Sequence, residues 1–246
     1  MTASATRRRA VVTGAARGIG AAVAARLAKD GVDVLVTDLD GAAAARTAAA
    51  IGARSAPLDV TDPDAVQELL GAGTYDILVN NAGCDDFGWF TETTPQRWRH
   101  VLAVNVEGVL ACTRAVLPAM QQARYGRIVT VTSEAGRIGS KGNAVYAAAK
   151  AAVIGFGKSI ARENARYGIT VNCVAPGPTE TPMVQAIRDS GPHGERMLTA
   201  MIAGTQLGRL GTAEEIAAGV CFLASPEASY VTAETLGVSG GMGLGG

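Results

Sequence analysis

The sequence has few aromatic residues, little histidine and no excess of either charge. Of its 246 residues 4% are aromatic and two are histidine, and 22 basic residues balance 22 acidic ones. A balanced surface gives no overall field to attract nucleic acid or an anionic membrane, so we expect neither as a partner. The length and the 48% hydrophobic content predict one domain, residues 1–246, with a sizeable core.

The sequence also lacks paired cysteines and long apolar runs. Its four cysteines are scattered, with no Cys-x-x-Cys pair: Cys84, Cys112, Cys173 and Cys221. A zinc site needs clustered ligands, so we expect no metal and interpret the cysteines as buried reduced thiols. No apolar run approaches the ~18 residues of a membrane span. The N-terminal arginines superficially resemble a targeting peptide, but a glycine-rich turn begins at Thr13, so we expect a mature cytoplasmic protein.

Apolar runs alternate with helical patterns along the chain, which is the order of βαβ units and a parallel sheet. The patterns predict strands at 9–13, 32–37, 54–58, 76–80, 127–132, 169–174 and 235–238. They predict helices at 18–29, 41–51, 63–70, 94–123, 144–167 and 213–224. The stretch from Pro176 to Gly211 contains four prolines and several glycines. We interpret its main part, about 178–211, as a mobile excursion that covers a substrate site.

A glycine-rich turn, TGAARGIG at 13–20, joins the first strand to the first helix. Glycines let the backbone approach a pyrophosphate, and a helix N-terminus offers free N–H groups to its charge. Asp38 ends the next strand, close to the ~20 residues expected of an acid that binds a dinucleotide ribose. The alternatives are a purely structural turn and, for Asp38, a solvated residue or the cap of the helix at Gly41.

Tyr146 and Lys150 are spaced i, i+4, which places both side chains on one face of the long helix. A nearby ammonium would lower the pKa of the phenol, which is otherwise near ~10, so Tyr146 could exchange protons at neutral pH. Ser133 follows the fifth strand, where doubly wound sheets bind ligands. The alternative is an exposed Tyr–Lys pair on a surface helix. The Gly-x-Ser-x-Gly match at 237–241 has no later histidine, so it cannot complete a hydrolase triad.

These features together resemble the classical short-chain dehydrogenase/reductase family, over essentially the whole chain. The matching motifs are TGAARGIG at 13–20, Asp59-Val60, Asn80-Asn81-Ala82-Gly83, Asn105, Ser133, Tyr146-x-x-x-Lys150, and Pro176-Gly177 with Thr179 and Thr181. The resemblance implies a Rossmann-type α/β fold, in which a doubly wound sheet of seven parallel strands has helices on both faces. It also implies a nicotinamide cofactor, a small-molecule substrate and a homotetramer.

The resemblance further implies a site. Its catalytic residues would be Asn105, Ser133, Tyr146 and Lys150, with Tyr146 exchanging the alcohol proton and Ser133 holding the substrate oxygen. Lys150 would hold the nicotinamide ribose and lower the pKa of Tyr146, and Asn105 would position Lys150 through a water relay. Its cofactor contacts would be Gly14, Arg17, Gly18, Ile19, Gly20, Asp38, Asp59, Val60, Asn81, Ala82, Gly83, Tyr146, Lys150, Pro176, Gly177, Thr179 and Thr181.

For the nucleotide we expect NAD, because the carboxylate of Asp38 would repel a 2′-phosphate while Arg17 can turn to solvent. The substrate would be a secondary alcohol or ketone. Phe87, Trp89 and Phe90 favour a hydrophobic ring, and the segment 137–145 is similar to that of 2-hydroxycyclohexanecarboxyl-CoA dehydrogenases. Arg137, Lys141 and Arg188 would then meet a CoA phosphate or remain solvated. The alternatives are an NADPH-dependent 3-oxoacyl-thioester reductase and a non-enzymatic nucleotide sensor.

Overall fold

A computed structural model describes residues 7–189 and 191–244 of the chain. Within them one parallel sheet contains strands β1 to β7, which are Arg9–Val12, Asp33–Asp38, Arg54–Pro57, Ile77–Asn80, Gly126–Val131, Ile169–Pro176 and Thr235–Val238. Their order in the sheet is β3-β2-β1-β4-β5-β6-β7. After β3 the chain therefore crosses to the other half of the sheet, and the two halves meet between β1 and β4. This is the predicted Rossmann-type fold, which is confirmed.

The helices of the described residues are numbered α1 to α10 in chain order. They are Gly18–Lys29, Gly41–Ile51, Pro63–Gly71, Pro95–Leu102, Gly108–Ala123, Ala135–Ile138, Ala144–Asn164, Pro182–Asp189, Pro192–Ala203 and Ala213–Ala224. Short polar side chains stop several of them from fraying. Asp62 caps α3 by accepting from two backbone N–H groups, and Thr212 forms a capping box with Glu215 at the start of α10.

Both faces of the sheet are covered, which explains why its central strands are apolar on both sides. Ala10 and Val12 pack with Val23 of α1 and Ile216 of α10 in one cluster. The intervening Val11 belongs to the opposite cluster, which includes residues of α3, α5 and α7. The carboxyl ends of the strands are left at one edge, where the candidate site forms.

The helix predicted at 94–123 is interrupted. α4 and α5 are joined by a π-helical turn, Ala103–Glu107, that carries Asn105. The amide of Asn105 donates to the carbonyl oxygen of Val101, four residues earlier, and to that of Cys84 outside the helix. Hydrophobic periodicity gives no sign of such an inserted residue, although π-turns are frequent at functional sites.

The excursion after β6 is more regular than the sequence predicts. It contains α8 and α9, because prolines at 182 and 192 begin helices rather than break them. Two helical stretches, Pro95–Ala123 and Ala144–Tyr167, are long and apolar enough to cross a membrane by length and composition alone. That is weak evidence of membrane insertion, since the core helix of a soluble protein passes the same test, and both stretches contribute residues to the core.

Candidate active site

The turn between β1 and α1 has the backbone shape that close approach of a pyrophosphate requires. Gly14 and Gly18 have positive φ, 60° and 57°. A Cβ on Gly14 would lie 2.7 Å from the Cα of Ala82, and one on Gly20 would collide with the carbonyl oxygen of Gly14. Arg17 is the residue before α1, and its side chain makes no hydrogen bond that caps the helix. The N–H groups of the first helical turn are therefore left for an anion.

The loop after β4 is hydrogen-bonded directly to this turn. The hydroxyl of Thr13 accepts from the backbone N–H groups of Asn81 and Ala82, at 3.1 Å each. The amide of Asn81 donates to the carbonyl oxygens of Thr13 and Gly14 at 2.9 and 2.8 Å. Ile19 is partly buried against the core beneath the turn. The two loops thus form one unit at the switch point of the sheet, where such folds bind ligands.

Asp38 lies at the end of β2 and is fixed to the same turn. One carboxylate oxygen accepts from the backbone N–H of Ala16 at 3.0 Å, and the other from that of Asp40 at 3.1 Å. The cap of α2 is Asp40, which accepts from Ala43, so the helix-cap alternative for Asp38 is wrong. Arg17 is exposed and directly precedes α1 in the same turn. A carboxylate and a guanidinium therefore flank the turn.

Asp59 and Val60 follow β3 on the neighbouring side of the sheet edge. Hydrogen bonds from the hydroxyl and backbone N–H of Thr61 hold the pKa of Asp59 below its usual value. Val60 is buried, and a Cβ on Gly108 would lie 2.8 Å from its side chain. Because Val60 packs closely against α5, it is held in a fixed position beside the glycine-rich turn, at the floor of the candidate cleft.

Lys150 and Asn105 meet around Gly83, the last residue of the Asn-Asn-Ala-Gly motif. A Cβ placed on Gly83 would lie 2.8 Å from Oδ1 of Asn105 and 3.3 Å from Nζ of Lys150. Oδ1 of Asn105 is buried and has no hydrogen-bond partner in the described part of the chain. Nζ of Lys150 donates to the carbonyl oxygen of Val131 at 3.1 Å. An unpartnered acceptor and a buried ammonium thus share one small space.

Burial has opposite effects on the two candidate catalytic groups of α7, Tyr146 and Lys150. Desolvation lowers the pKa of the Lys150 ammonium to about 8. Desolvation, reinforced by the charges of Asp85 and Cys84, raises the pKa of the Tyr146 phenol to about 12, against a hydrogen bond with Ser133. Nζ of Lys150 lies 5.5 Å from the centre of the Tyr146 ring. The pKa of Tyr146 is therefore raised here and not lowered as expected, because desolvation is the largest effect.

The end of β6 closes the site from the other side. The carbonyl oxygen of Pro176 accepts from the N–H of Glu134, next to Ser133. The hydroxyl of Thr179 donates to the carbonyl oxygen of Gly177, and that of Thr181 to Thr179. Thr181 directly precedes α8, and its side chain lies within 4 Å of the position of a Cβ on Gly18. The excursion therefore starts directly beside the glycine-rich turn.

The loops at 84–92 and 137–143 meet at the mouth of the cleft. The N–H of Gly88 donates to the carbonyl oxygen of Gly142 at 2.9 Å, and Nζ of Lys141 lies 5.4 Å from the centre of the Trp89 ring. Phe90 stacks on Trp98 with ring centroids 5.2 Å apart. Trp89 and Phe90 remain more than half exposed, so packing beneath the loop accounts for only part of their surface.

The charged residues expected near a CoA phosphate have protein partners. Arg188 forms a two-fold ion pair with Glu180, and Arg137 pairs with the buried Glu134. Thr13 and Glu134 are functional residues for which the sequence predicts no individual role. Thr13 opens the glycine motif, which is a usable signal, whereas the burial of Glu134 becomes visible only in the folded chain.

Comparisons with known proteins agree with this geometry. The profile of a family described as enoyl-(acyl carrier protein) reductase matches residues 14–243. The 3-oxoacyl-(acyl-carrier-protein) reductase FabG of Escherichia coli is 44% identical over 240 residues, 95% of this chain and 96% of the relative. FabG of Haemophilus influenzae is 38% identical over 242 residues, 96% and 98% of the two chains. The short-chain reductase protein NovJ of Streptomyces niveus is 40% identical over 243 residues, 94% and 92% of the two chains.

Proposed function

Because this chain belongs to the short-chain dehydrogenase/reductase family, we propose that it reduces the 3-keto group of an acyl thioester to a secondary alcohol. Family membership confirms a NAD(P)-dependent oxidoreductase that acts on CH–OH groups or the corresponding ketones. The substrate class is taken from the relatives named 3-oxoacyl-(acyl-carrier-protein) reductase. A 3-oxoacyl thioester, which the sequence offers as an alternative, therefore replaces the free secondary alcohol as the proposed substrate.

The observation that supports reduction is the buried position of Tyr146, whose hydroxyl is hydrogen-bonded to Ser133. Burial raises the pKa of its phenol to about 12, so the hydroxyl keeps its proton at neutral pH. A protonated phenol is the form that a ketone reduction needs, because the carbonyl oxygen must receive a proton as its carbon receives a hydride. Oxidation would need the phenolate, which this environment disfavours.

We assign the chemistry to the two hydroxyl groups of the cleft. When bound, the dihydronicotinamide supplies the hydride. The Ser133 hydroxyl donates a hydrogen bond to the substrate carbonyl oxygen and fixes its position. The O–H bond of Tyr146 breaks, its proton goes to that oxygen, and the phenolate is reprotonated before the next turnover. The two hydroxyls are hydrogen-bonded to each other, so one substrate oxygen atom can contact both.

Lys150 and Asn105 are assigned to support this reaction. The Lys150 ammonium, charged below its pKa of about 8, would hold the nicotinamide ribose hydroxyls. The buried, unpartnered Oδ1 of Asn105 points to a polar group or water that joins it to Lys150. This is the relay expected from the family resemblance, and the shared space at Gly83 supports it.

The remaining cleft fits a pyridine dinucleotide. The glycine-rich turn and the uncapped start of α1 provide N–H groups for the pyrophosphate. We assign the ribose and adenine side to Asp38, Asp59 and Val60, and the nicotinamide side to the ends of β4 and β6. The full set of proposed contacts is Gly14, Arg17, Gly18, Ile19, Gly20, Asp38, Asp59, Val60, Asn81, Ala82, Gly83, Tyr146, Lys150, Pro176, Gly177, Thr179 and Thr181.

Between NADH and NADPH we propose NADH. Both oxygens of Asp38 accept hydrogen bonds from backbone N–H groups, so the carboxylate is held beside the turn. A 2′-phosphate would have to approach that charge. The exposed Arg17 favours the opposite choice, which keeps NADPH as the alternative. The names of the relatives specify a substrate and no nucleotide, so Asp38 carries this proposal.

For the whole chain we propose one Rossmann domain over residues 1–246, with 178–211 covering the substrate, in a cytoplasmic homotetramer. The assembly is supported by large apolar side chains left exposed on the outer helices, including Leu102, Leu110 and Phe222. Light scattering at micromolar concentration should give about four times the chain mass of 25.0 kDa. A particle of the mass of one chain would contradict the assembly.

The test of the function is an absorbance assay at 340 nm. Acetoacetyl-CoA, a 3-oxoacyl thioester, is offered with NADH and with NADPH, and cyclic secondary alcohols are offered with the oxidised nucleotides. We expect rapid oxidation of the reduced nucleotide by the thioester. Oxidation of cyclic alcohols without any reduction of the thioester would overturn the proposed substrate class.

A further inference from the structure

We propose that Glu134 and Arg137 are positioning residues that couple Ser133 to the C-terminal segment, residues 237–243, and to the end of the substrate-covering helices. The inference rests on the role proposed for Ser133. Glu134 directly follows Ser133 and is 1% exposed. Nη1 of Arg137 lies 3.1 and 3.3 Å from its two carboxylate oxygens. A buried ion pair adds little net stability in general, but it fixes geometry when further contacts surround it.

The C-terminal segment packs on this ion pair through glycines. A Cβ on Gly237 would lie 2.8 Å from Oε1 of Glu134 and 3.1 Å from Nη1 of Arg137. A Cβ on Gly243 would lie 2.5 Å from Oε2 of Glu134. Gly243 does not have positive φ, so its backbone conformation does not require glycine. The missing side chains are what allow the segment to lie against the carboxylate.

The same segment holds the end of the excursion. The carbonyl oxygen of Gly240 accepts from the backbone N–H groups of Gln206 and Leu207 at 2.8 and 3.1 Å. The methyl carbon of Met242 lies 3.1 Å from the position of a Cβ on Gly204, directly after α9. The substrate-covering helices are therefore connected to Glu134 through one short stretch of chain.

Ser133 cannot move independently of Glu134. The N–H of Glu134 donates to the carbonyl oxygen of Pro176 at 3.0 Å, and the Ser133 hydroxyl accepts from the N–H of Ala135 at 3.1 Å. The short helix α6 also lies directly on α7, since a Cβ on Gly136 would be 2.7 Å from the carbonyl carbon of Lys150. A displaced Glu134 carboxylate would therefore shift the turn that aims the Ser133 hydroxyl.

The test combines hydrogen exchange with kinetics in Glu134→Gln, Gly243→Ala and the control Asp30→Asn, which breaks the exposed Arg26–Asp30 ion pair on α1. In the first two we expect faster exchange of the amides of 204–207 and 237–243. We also expect kcat to fall by roughly 10- to 100-fold, because small misplacements of a positioning group cost this much. Nucleotide affinity should fall less than kcat, because Glu134 reaches the proposed nicotinamide side only through its backbone bond to Pro176, which both variants retain. The control should match the unmodified protein in every measurement.

Two double variants separate positioning from simple stabilisation. Glu134→Leu with Arg137→Met removes both charges, so thermal stability should recover relative to Glu134→Gln while kcat stays low. In a Glu134→Ala background, Gly243→Ala should have no further effect, because the atoms it would meet are gone. Recovery of kcat together with stability, or additive effects of the second pair, would overturn the inference. Hydrogen exchange needs no substrate, so it reports the coupling even if the proposed thioester reduction fails.

Discussion

The side of the cleft that faces the nucleotide is held together by backbone groups, whereas the side that faces the substrate is held by charged and aromatic side chains. At the nucleotide turn, backbone N–H or carbonyl groups take part in every bond that fixes Thr13, Asn81 and Asp38. Such bonds depend on the backbone conformation of each turn and on the positions where glycine allows that conformation.

On the substrate side the connections run mainly through charged and aromatic side chains. Arg97 pairs with Asp86 and also donates to the carbonyl oxygen of Phe87, which fixes the loop at 84–92. Lys141 lies over Trp89, and Arg188 pairs with Glu180. Most of these charges are partly exposed, and exposed ion pairs contribute little to stability. We infer that this side tolerates substitution more readily, which lets substrate preference vary on a constant nucleotide site.

The largest expected effect lies where the two sides meet, at Tyr146. Tyr146→Phe should keep the fold and nucleotide binding but lose 10²–10⁴-fold in kcat, because the proton donor is removed. Tyr125→Phe is the matched control, since the Tyr125 hydroxyl is buried without a partner among the described residues. Steady-state assays at 340 nm measure both variants. Near-normal turnover in Tyr146→Phe would contradict the mechanism.

A large effect on nucleotide preference is also expected from Asp38, whose carboxylate is fixed beside the glycine-rich turn. The unmodified protein should prefer NADH over NADPH by at least ~100-fold in kcat/KM, equivalent to ~2.7 kcal/mol. Asp38→Ala should shrink this ratio, chiefly by improving NADPH. Asp40→Ala, which removes a neighbouring carboxylate that caps α2, should leave the ratio unchanged. Equal efficiency with both nucleotides in the unmodified protein would show that Arg17 outweighs Asp38.

The same contrast explains what the sequence could reveal. The succession of strands and helices along the chain, the helix starts and the glycine-rich turn follow from periodicity and spacing, and the helices at 18–29, 41–51 and 213–224 match at both ends. The π-turn at Asn105 and the buried pair Glu134–Arg137 depend on tertiary contacts that no local pattern records. The pKa of Tyr146 was mispredicted for the same reason, since spacing shows the nearby ammonium but not the loss of solvent.

A smaller, pH-dependent effect follows from Lys150. Its pKa of about 8 means that the free enzyme loses this positive charge as the pH rises through 8. The value of kcat/KM for the nucleotide should therefore fall about tenfold per pH unit above that point, because this parameter reports groups of the free enzyme. Lys150→Arg keeps its charge, so whatever activity it retains should show no fall near pH 8. A fall at the same pH in that variant would assign the titration to another group.

The smallest effect on kinetics is expected from the ion pair between Arg188 of α8 and Glu180, which precedes that helix. Arg188 already has Glu180 as its partner, so Arg188→Gln should change KM for acetoacetyl-CoA by about fivefold or less. If the guanidinium can reach a CoA phosphate, Glu180→Gln should instead lower this KM, because it frees the positive charge. Acetoacetyl-N-acetylcysteamine lacks the phosphates, and its KM should be the same in all three proteins. A change with both thioesters would mean that the pair positions α8 itself, and the substrate side would then be as rigidly built as the nucleotide side.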